Sequence, residues 1–492
     1  MKLNTILLAL VAGTFLLSCS SDDGGTTPVN PSPESENTAP QIVSQTYSVF
    51  EDISDAETFA EVTATDSDGD DLTFEIVSNS DNLFKISEDG NLGLETGASL
   101  DYETTTEHNI TVSVSDGDKN ASAEIKITVN NVIENLFEDP ESFITTWKTP
   151  ADGFELVIGT DSTLDYNFTI DWGDGSDEET FVDLANNPSH VYDTEDTYTV
   201  AIKGAFPAIK MYEGVQDGLD DSRKALTSIN QWGAISWESF EEAFRLCINL
   251  SDYMALDAPN LEKVESLAGM FRNATSFSGD LSNWNTVNVV NMSETFRDAV
   301  AFNGAMGNWN TSNVIDMNGM FNGAESFNQE IDFDSSTGAW DTSNVVNMAA
   351  VFQNAKAFNQ NIGNWKTDKV TNMFLMFRGA SDFNQNISSW DVSEVTSFTR
   401  MFENASSFNQ NLGSWNISST ENMSNMFNDT SMSSENYSNT LIGWDGQGDI
   451  PGDITLGAVG LKYLCSANVA RSNLLGRGWN IEDDGSDPAV CP

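Results

Sequence analysis

The chain has 492 residues, which is enough for three or four domains. Its 76 acidic residues against 21 lysines and arginines give a formal net charge of −55. A surface of this charge repels nucleic acid and anionic membranes, so neither is expected as a direct partner, and it favours solubility and divalent cations.

The first residues predict a secretory signal peptide over residues 1–18. Lys2 precedes an apolar run from Ile6 to Leu17, which is shorter than the roughly 20 residues of a membrane-spanning helix. Cys19 follows directly after Ser18, and this ending resembles a bacterial lipobox. The resemblance implies that Cys19 is lipidated and anchors the protein in the outer membrane, at the cell surface. The alternative is an ordinary signal peptide with an incidental cysteine.

Residues 19–37 contain almost no side chain that a core could bury. This composition favours a disordered tether between the anchor and the first domain. No later segment of the sequence is apolar enough to span a membrane. The lipid is therefore the only membrane attachment that the sequence predicts.

Residues 38–134 alternate apolar and polar side chains over short runs, for example Ile110–Val114 and Ile125–Val129. This period of two, interrupted by Asp, Gly and Asn, predicts a β-sandwich. The acidic residues are gathered in four short motifs. These are Phe50-Glu51-Asp52, Asp66-Ser67-Asp68-Gly69-Asp70-Asp71, Leu100-Asp101-Tyr102-Glu103 and Val114-Ser115-Asp116-Gly117.

The four motifs, in this order, resemble those of a cadherin repeat, as do the opening Asn37–Pro40 and the closing Val129–Val132. The resemblance implies weak calcium binding at both ends of the module, because calcium takes six to eight hard oxygen ligands. The implied ligands are Glu51, Asp101 and Glu103 at the C-terminal end, and Asp66, Asp68 and Asp116 at the N-terminal end. With a single module, each end is expected to supply half a junction site. The alternative is that these carboxylates are solvated loop residues.

Residues 138–225 predict a second small β-domain. Alternating strands flank the turn Trp172–Gly175, and the segments His190–Tyr192 and Tyr198–Val200 follow it. These features resemble a PKD-like β-sandwich. The resemblance implies that His190 is a structural strand residue and has no catalytic role.

An internal repeat of 25 residues dominates residues 226–433. Tryptophans recur 25 residues apart, except for one interval of 31, and two series of phenylalanines keep the same register. The tryptophans are Trp284, Trp309, Trp340, Trp365, Trp390 and Trp415. So short a unit cannot bury these side chains alone, which predicts rungs stacked in a solenoid.

Each rung is predicted to contain one short helix and one strand. Val370, Met373 and Phe377 have the spacing of a helix face, and Ile387–Trp390 is predicted as a strand that stacks on its neighbours at about 4.8 Å. The repeat resembles that of BspA-like leucine-rich-repeat surface proteins of bacteria. This resemblance implies an α/β solenoid that binds host or matrix proteins, and it names no ligand.

Two polar positions also recur in register. The columns are Asn303, Asn328, Asn359, Asn384 and Asn409, and Gln329, Gln360, Gln385 and Gln410. They predict an amide ladder that satisfies main-chain groups at the turns, with a ligand-binding strip as the alternative. Cys247 falls at the small-residue position of a degenerate first unit, which predicts a buried packing role.

Residues 434–492 lack the repeat and are predicted to form a C-terminal cap, because the last rung of a solenoid has to be covered. Cys465 and Cys491 both lie in this segment. In an exported protein we expect a disulfide between them.

The sequence therefore predicts a mainly β, multidomain protein: two β-sandwich modules, a leucine-rich-repeat-like α/β solenoid and a cap. The predicted function is a non-enzymatic, lipid-anchored surface adhesin whose repeats engage an extracellular host or matrix protein. The alternative is a surface glycan-binding lipoprotein of a polysaccharide-uptake system, in which tryptophans stack on sugars. No Gly-x-Ser-x-Gly, His-Glu-x-x-His or Cys–His pairing supports a hydrolase.

Overall fold

The computed structural model describes residues 36–214 and 218–487. The predicted signal peptide, Cys19 and nearly all of the predicted tether lie outside the described residues. The chain divides into two compact units, Met1–Val132 and Ile133–Pro492. The fold is mainly β and multidomain, as the sequence predicts.

The first unit contains two β-sheets. Its strands are β1 (Gln45–Phe50), β2 (Thr58–Glu61), β3 (Thr73–Asn79), β4 (Phe84–Ile86), β5 (Asn91–Leu94), β6 (Glu107–Ser115) and β7 (Asn120–Asn130). One sheet has the order β1-β7-β6-β3 and the other the order β2-β5-β4. Only the β1–β7 pair among them is parallel.

The core of this unit follows from the alternation in its strands. In β7, Ile125, Ile127 and Val129 are buried and the residues between them are partly exposed. A strand turns successive side chains to opposite faces, so this period of two puts one face of β7 against the core. Phe84 and Leu92, from the second sheet, belong to the same apolar cluster.

The second unit begins with a β-rich region. Its elements are β8 (Phe143–Lys148), β9 (Phe154–Val157), β10 (Asn167–Asp171), β11 (Glu179–Val182), β12 (Ser189–Tyr192), β13 (Thr197–Ala205), α1 (Asp220–Ala225), β14 (Leu226–Gln231) and β15 (Asp252–Tyr253). Six strands form a sheet of order β11-β10-β13-β8-β14-β15, and β9 pairs with β12.

This six-stranded sheet extends into the first repeats. Strand β14 is antiparallel to β8 on one side and parallel to β15 on the other. One apolar cluster runs from Phe143 in β8 to Ile481 near the C-terminus. Regions 138–225 and 226–433 therefore share a core and a sheet.

The repeats stack through a ladder of single parallel bridges. Each bridge joins one residue of a unit to the equivalent residue of the next. The ladder residues are Ser266, Asn291, Asp316, Asn347, Asn372, Ser397 and Asn422. Residues 254–433, all of which the structure describes, contain no helix and no strand longer than such a bridge.

The predicted helix over Val370–Phe377 and the predicted strand over Ile387–Trp390 are therefore both wrong. Residues 374–379 form consecutive turns, in which Leu375 and Gly379 have left-handed φ angles of 61° and 69°. Left-handed residues interrupt the bonding of an α-helix. The bridge lies at Asn372, ahead of these turns.

The main-chain N–H groups in these turns alternate between acceptors in the next unit and acceptors in their own unit. The N–H groups of Leu375, Phe377 and Gly379 donate to carbonyls of the next unit at 3.1, 2.8 and 2.8 Å. The N–H groups of Arg378 and Ala380 instead donate three residues back, at 3.0 Å each. Half of the donors thus join neighbouring units and half close turns within one unit.

Aromatic side chains stack in columns under this ladder. Phe377 lies 4.0 Å from Phe383 of its own unit and 5.5 Å from Phe352 and Phe402 of the adjacent units, as measured between ring centroids. All four rings are buried. Offset stacking of this kind adds to the stabilisation from burial alone.

The last repeat is covered by the C-terminal segment. Its elements are α2 (Ser434–Asp445), β16 (Thr455–Ala458), a 3₁₀ turn (Cys465–Ala467), α3 (Asn468–Gly476) and β17 (Asn480–Asp483). Met423 bridges to Leu456 of β16, and β16 pairs with β17 in parallel, so the ladder continues into this segment.

Cys465 takes part in a disulfide. Cys491 lies outside the described residues, so the pairing of the two cysteines stays a prediction. Among residues 36–214 and 218–487, no helix has the length and apolar character needed to cross a bilayer.

Candidate metal centres and repeat surface

Three of the predicted ligands meet at one end of the first unit. Carboxylate oxygens of Glu51, Asp101 and Glu103 lie within 4.8 Å of one another. Glu51 directly follows β1 and is buried. Its two oxygens accept the main-chain N–H groups of Tyr102 at 2.6 Å and Val132 at 2.7 Å. These bonds fix one ligand before any cation binds.

The other two members of this cluster are exposed and are oriented by their neighbours. The hydroxyl and the main-chain N–H of Thr104 donate to Asp101 at 2.7 and 2.9 Å, and these bonds lower the pKa of Asp101. The side-chain amide of Asn131 donates to Glu103 at 2.9 Å. A carboxylate held in its ionised form suits a hard cation such as calcium.

A second acidic cluster lies between β2 and β3. It joins Asp66 and Asp68 with Asp70, again with oxygens within 4.8 Å of one another. The sequence predicts Asp116 here instead of Asp70. Asp116 lies nearby, since Asn37 donates its amide to Asp116 at 3.3 Å while the main-chain N–H of Thr38 donates to Asp68 at 2.5 Å.

Asp116 has partners of its own. The main-chain N–H groups of Lys119 and Asp118 donate to one of its oxygens at 2.6 and 2.8 Å. These two bonds lower the pKa of Asp116, so the residue is ionised at neutral pH.

Two oxygens at this end lack a hydrogen-bond donor. Asp66 Oδ2 and Asn37 Oδ1 are inaccessible to solvent, and neither accepts a hydrogen bond within the described part of the chain. A buried acceptor without a donor costs free energy, and a bound cation would remove that cost. The oxygen-only donor set and these two atoms fit calcium.

The two clusters lie at opposite ends of β6. Asp101 and Glu103 precede its first residue, whereas Asp116 follows its last. Nine residues at about 3.3 Å each separate the ends by roughly 30 Å. The clusters are therefore independent candidate sites.

Asn37 and Asp70 are the site residues that the sequence interpretation missed. Asn37 was used only as part of an opening motif. Asp70 carried a signal, because Asp66, Asp68 and Asp70 alternate along one turn. The elements on either side of this turn, β2 and β3, are strands.

His190 in the second unit is a packing residue. Its ring stacks on Trp172 with centroids 5.2 Å apart, and its Nε2 lies 2.8 Å from Asp174 Oδ2. Gly173 precedes Asp174 with a φ of 77°, and a Cβ there would lie 1.9 Å from the carbonyl oxygen of Thr199. The contacts explain why the turn carries this motif and give His190 a structural role.

The repeat tryptophans are buried. No more than 3% of any of the six side chains is exposed. Trp390 and Trp415 donate their indole N–H groups to the main-chain carbonyls of Ile362 and Ile387, both at 3.0 Å. These rings cannot stack on sugars at the surface, which removes the observation behind the glycan-binding alternative.

The asparagine and glutamine columns form an amide ladder. Asn359 Oδ1 accepts the main-chain N–H of Asn384 at 3.0 Å, and the amide of Gln385 donates to the carbonyl of Asn359 at 2.8 Å. Asn384 and Gln410 repeat the second bond at 2.9 Å. The columns satisfy main-chain groups between units, as the first of the two interpretations predicts.

Two family models match parts of the chain. The model of the family described as a Mycoplasma protein of unknown function, DUF285, matches residues 238–337 and 330–440. The cadherin domain model matches residues 45–130. No curated protein sequence matches the chain significantly.

Solved structures of cadherins are similar to part of the chain. Human protocadherin-24 EC1-2 has 22% identity and a TM-score of 0.19; the match covers 24% of this chain and 51% of that one. Drosophila N-cadherin EC1-3 has 18% identity and a TM-score of 0.18, with 20% and 35% covered. The third cadherin domain of human protocadherin 7 also has 18% identity and a TM-score of 0.18, with 22% and 98% covered.

The N-terminal module is thus cadherin-like, because the family model spans all seven of its strands. A module of this kind indicates an extracellular protein with a role in adhesion or binding. The DUF285 match is compatible with the BspA-like repeat that the sequence suggests.

Proposed function

We propose that this protein is a lipid-anchored, non-enzymatic adhesin of the bacterial outer membrane. Cys19 holds it at the cell surface, and the cadherin-like module is a calcium-binding spacer. The stacked repeats form a solenoid of the BspA-like, leucine-rich-repeat type that engages an extracellular host or matrix protein.

The observation that carries the proposal is the cadherin-like module with its two carboxylate clusters. The family match over residues 45–130 includes the acidic motifs that form both clusters. Glu51 is held by two main-chain donors, and Asp66 Oδ2 accepts no hydrogen bond from the described residues. Oxygen ligands arranged in this way before a cation arrives suit calcium at extracellular concentration.

The repeats support the binding half of the proposal. Their aromatic columns and amide ladder use the side chains that face inward or toward the next unit. Repeat arrays of this kind are stabilised by contacts between neighbours and offer long regular surfaces to partners. Burial of the tryptophans favours a protein over a sugar as that partner.

Binding of the mature full-length chain to a panel of purified matrix proteins and to a glycan array tests this function. We expect binding to a matrix protein, a gain in binding with calcium over a chelator, and no glycan binding. Strong glycan binding without protein binding would overturn the adhesin.

The anchor is tested in cells with Cys19→Ala. The wild type should incorporate labelled fatty acid and fractionate with the outer membrane, whereas the variant should do neither. Ser20→Ala, next to the cleavage site, is the matched control and should behave as the wild type. Equal fractionation of Cys19→Ala and the control would contradict lipid anchoring.

A further inference from the structure

One surface position of the repeats is occupied by a column of β-branched side chains. It lies one residue before each ladder bridge, and we call it the β-branched column. Its members are Val290, Ile315, Val346, Thr371 and Thr396. The equivalent positions of the units before and after it are Glu265 and Glu421.

The main-chain N–H groups of this column donate to main-chain carbonyls of the same column. The N–H of Ile315 donates to the carbonyl of Val290 and that of Val346 to Ile315, both at 2.9 Å; Thr371 and Thr396 continue the series at 3.0 Å. The backbone is thereby held at about 4.8 Å per unit, and its side chains are left to face solvent.

Apolar members of the column remain exposed. Ile315 is 49% exposed and Val346 is 38% exposed. Together with Val290, Asn313 and Asn344 they line a shallow depression of about 400 Å³. A single exposed valine is ordinary, but three contiguous apolar side chains on a rigid surface indicate a contact site.

The residues that line the depression are uncharged and already bonded. One cation lies beside them, since the ammonium of Lys369 donates to Asn344 Oδ1 at 2.6 Å. The amides of Asn313 and Asn344 donate to main-chain carbonyls of the preceding units at 2.8 and 2.7 Å. Charge enters the column at its two ends, with Glu265 and Glu421, both exposed. The chain has a net charge of −55, yet the five residues of the column are uncharged. A complementary ligand would therefore be uncharged at its centre and positively charged at its ends.

We propose that the β-branched column docks an extended segment of the partner protein, with apolar or β-branched side chains at its centre and a basic residue at each end. The inference rests on the proposed function and names the chemistry of its partner. Six steps of about 4.8 Å separate Glu265 from Glu421 by roughly 29 Å. An extended segment of about nine residues spans that distance at 3.3 Å per residue.

A second copy of this chain is the less suitable occupant. Two copies in face-to-face contact would bring glutamates and a net charge of −55 on each copy together, and like charges at an interface oppose association. A basic-ended segment places opposite charges at both ends and leaves the apolar contact in the middle.

The test uses the mature full-length chain and two synthetic nine-residue peptides, measured by fluorescence polarisation. Both peptides alternate valine and threonine between their ends; one ends in lysines and the other in glutamates. We expect the lysine peptide to bind, and Ile315→Asp to weaken it at least about tenfold, since an unpaired carboxylate would be buried on docking. No binding of the lysine peptide would overturn the proposal.

Val300→Asp is the matched control. Val300 is 39% exposed, like Val346, and lies on the repeats outside the column. This variant should bind the lysine peptide as the wild type does, and both variants should keep the thermal unfolding of the wild type. Equal weakening by Ile315→Asp and Val300→Asp would show that the column is not the site.

Reversal of the end charges gives an independent result. Glu265→Lys combined with Glu421→Lys should make the chain prefer the glutamate peptide, and an unchanged preference for lysine would contradict the proposed ends. The matrix-protein panel separates the two proposals. A partner that binds Ile315→Asp and the wild type equally refutes the docking surface and leaves the adhesin intact, whereas a wild type that binds no protein refutes the adhesin itself.

Discussion

The side-chain Oδ1 of Asn384 accepts the main-chain N–H of Asn409 at 2.9 Å, although the two residues are 25 positions apart. They occupy the same position in successive repeats. The N–H of Asn384 in turn donates to Asn359 at 3.0 Å. At this position of each repeat, one asparagine side chain accepts the main-chain N–H of the next repeat. In a β-sheet, a main-chain carbonyl of the neighbouring strand would accept that hydrogen bond.

Replacement of one member of this column should open the ladder locally. In Asn384→Ala, the N–H of Asn409 and the amide of Gln410 both lose an acceptor, which should cost about 1–3 kcal/mol. Hydrogen exchange measured by mass spectrometry should rise around Asn409. Asn386→Ala, in the same unit, is the control, because the Asn386 side chain accepts the nearby Ser388 N–H and no hydrogen bond of this side chain to another unit is seen among the described residues. Equal exchange in the two variants would mean that the ladder contributes nothing.

Left-handed positions of the repeat offer a stabilising substitution. Ala350 has a φ of 56°, which costs an L-residue about 1–2 kcal/mol relative to glycine. Ala350→Gly should raise the free energy of unfolding by up to about 1 kcal/mol, after the loss of chain entropy in glycine is subtracted. Thermal and denaturant unfolding measure the change.

Ala355→Gly is the matched control for Ala350→Gly. Ala355 is fully buried in the same unit and has no positive φ. Glycine there should lower the stability, because it removes packing and adds only flexibility in the unfolded chain. If both variants are destabilised, the left-handed φ of Ala350 does not lower the free energy of unfolding measurably.

The periodicity of the repeat predicted its core and misassigned its backbone. Val370, Met373 and Phe377 are buried, as their spacing requires. The same spacing arises from overlapping turns, which a hydrophobic pattern cannot distinguish from a helix. Each unit has two left-handed positions four residues apart. A usable signal was the Gly, Asn or Asp that most units carry at the second of them, as at Asn354, Gly379 and Asn404.

The other left-handed column gave a weaker signal, because only some of its members, such as Gly269, Gly319 and Asn425, are residue types that favour a positive φ. Ala350, Leu375 and Arg400 all adopt positive φ there, although none of these residue types favours it. Their N–H groups donate to the next unit at 2.8, 3.1 and 2.9 Å. Contact with the neighbouring repeat imposes this conformation, so a single unit of sequence could not reveal it.

Motif order predicted one acidic group of the first unit correctly and the other only in part. Glu51 comes from one motif, Asp101 and Glu103 come from another, and the three carboxylates meet as predicted. Asp70 joins Asp66 and Asp68 because the turn between β2 and β3 brings alternate carboxylates together. Asp116 is held instead by the N–H groups of its own turn. Which carboxylates meet therefore depends on the backbone conformation of each turn. The residue types alone do not determine it.

Asp174 should make the stability of the second unit depend on pH in the acidic range. Burial raises its pKa, but hydrogen bonds from Ser176 and His190 outweigh burial and lower the pKa to about 2. Since the unfolded value is near 3.9, the contribution is present above about pH 4 and is lost as the pH falls toward 2. The melting temperature of Asp174→Asn should therefore lie below that of the wild type at pH 5 and approach it at pH 2.

Asp177→Asn is the control for this pH profile. Asp177 is exposed in the same turn region. Its melting curve should follow that of the wild type at both pH values. A difference between Asp174→Asn and the wild type that stays constant from pH 5 to pH 2 would assign the effect to packing instead of charge.

Cys247 should be chemically inert in the folded protein. It is fully buried at the position that Ala274 and Ala299 occupy in later units, and burial raises the pKa of its thiol. Cys247→Ala should change the stability by no more than about 1 kcal/mol, whereas Cys247→Leu should cost about 1–3 kcal/mol through overpacking. Rapid alkylation of Cys247 by iodoacetamide without denaturant would contradict this packing role.

Calcium should stabilise the first unit through two separable sites. Millimolar calcium, about the concentration at which extracellular modules bind, should raise the melting temperature of the mature chain. Asp66→Asn should abolish binding at the cluster between β2 and β3, and Glu51→Gln should abolish it at the other end, so calorimetry should give reduced calcium stoichiometry for each. Asp118→Asn removes an exposed carboxylate next to Asp116, at the same end as the cluster between β2 and β3, and should bind calcium as the wild type does. An unchanged melting temperature, or equal loss in Asp118→Asn, would reduce these clusters to ordinary surface acids.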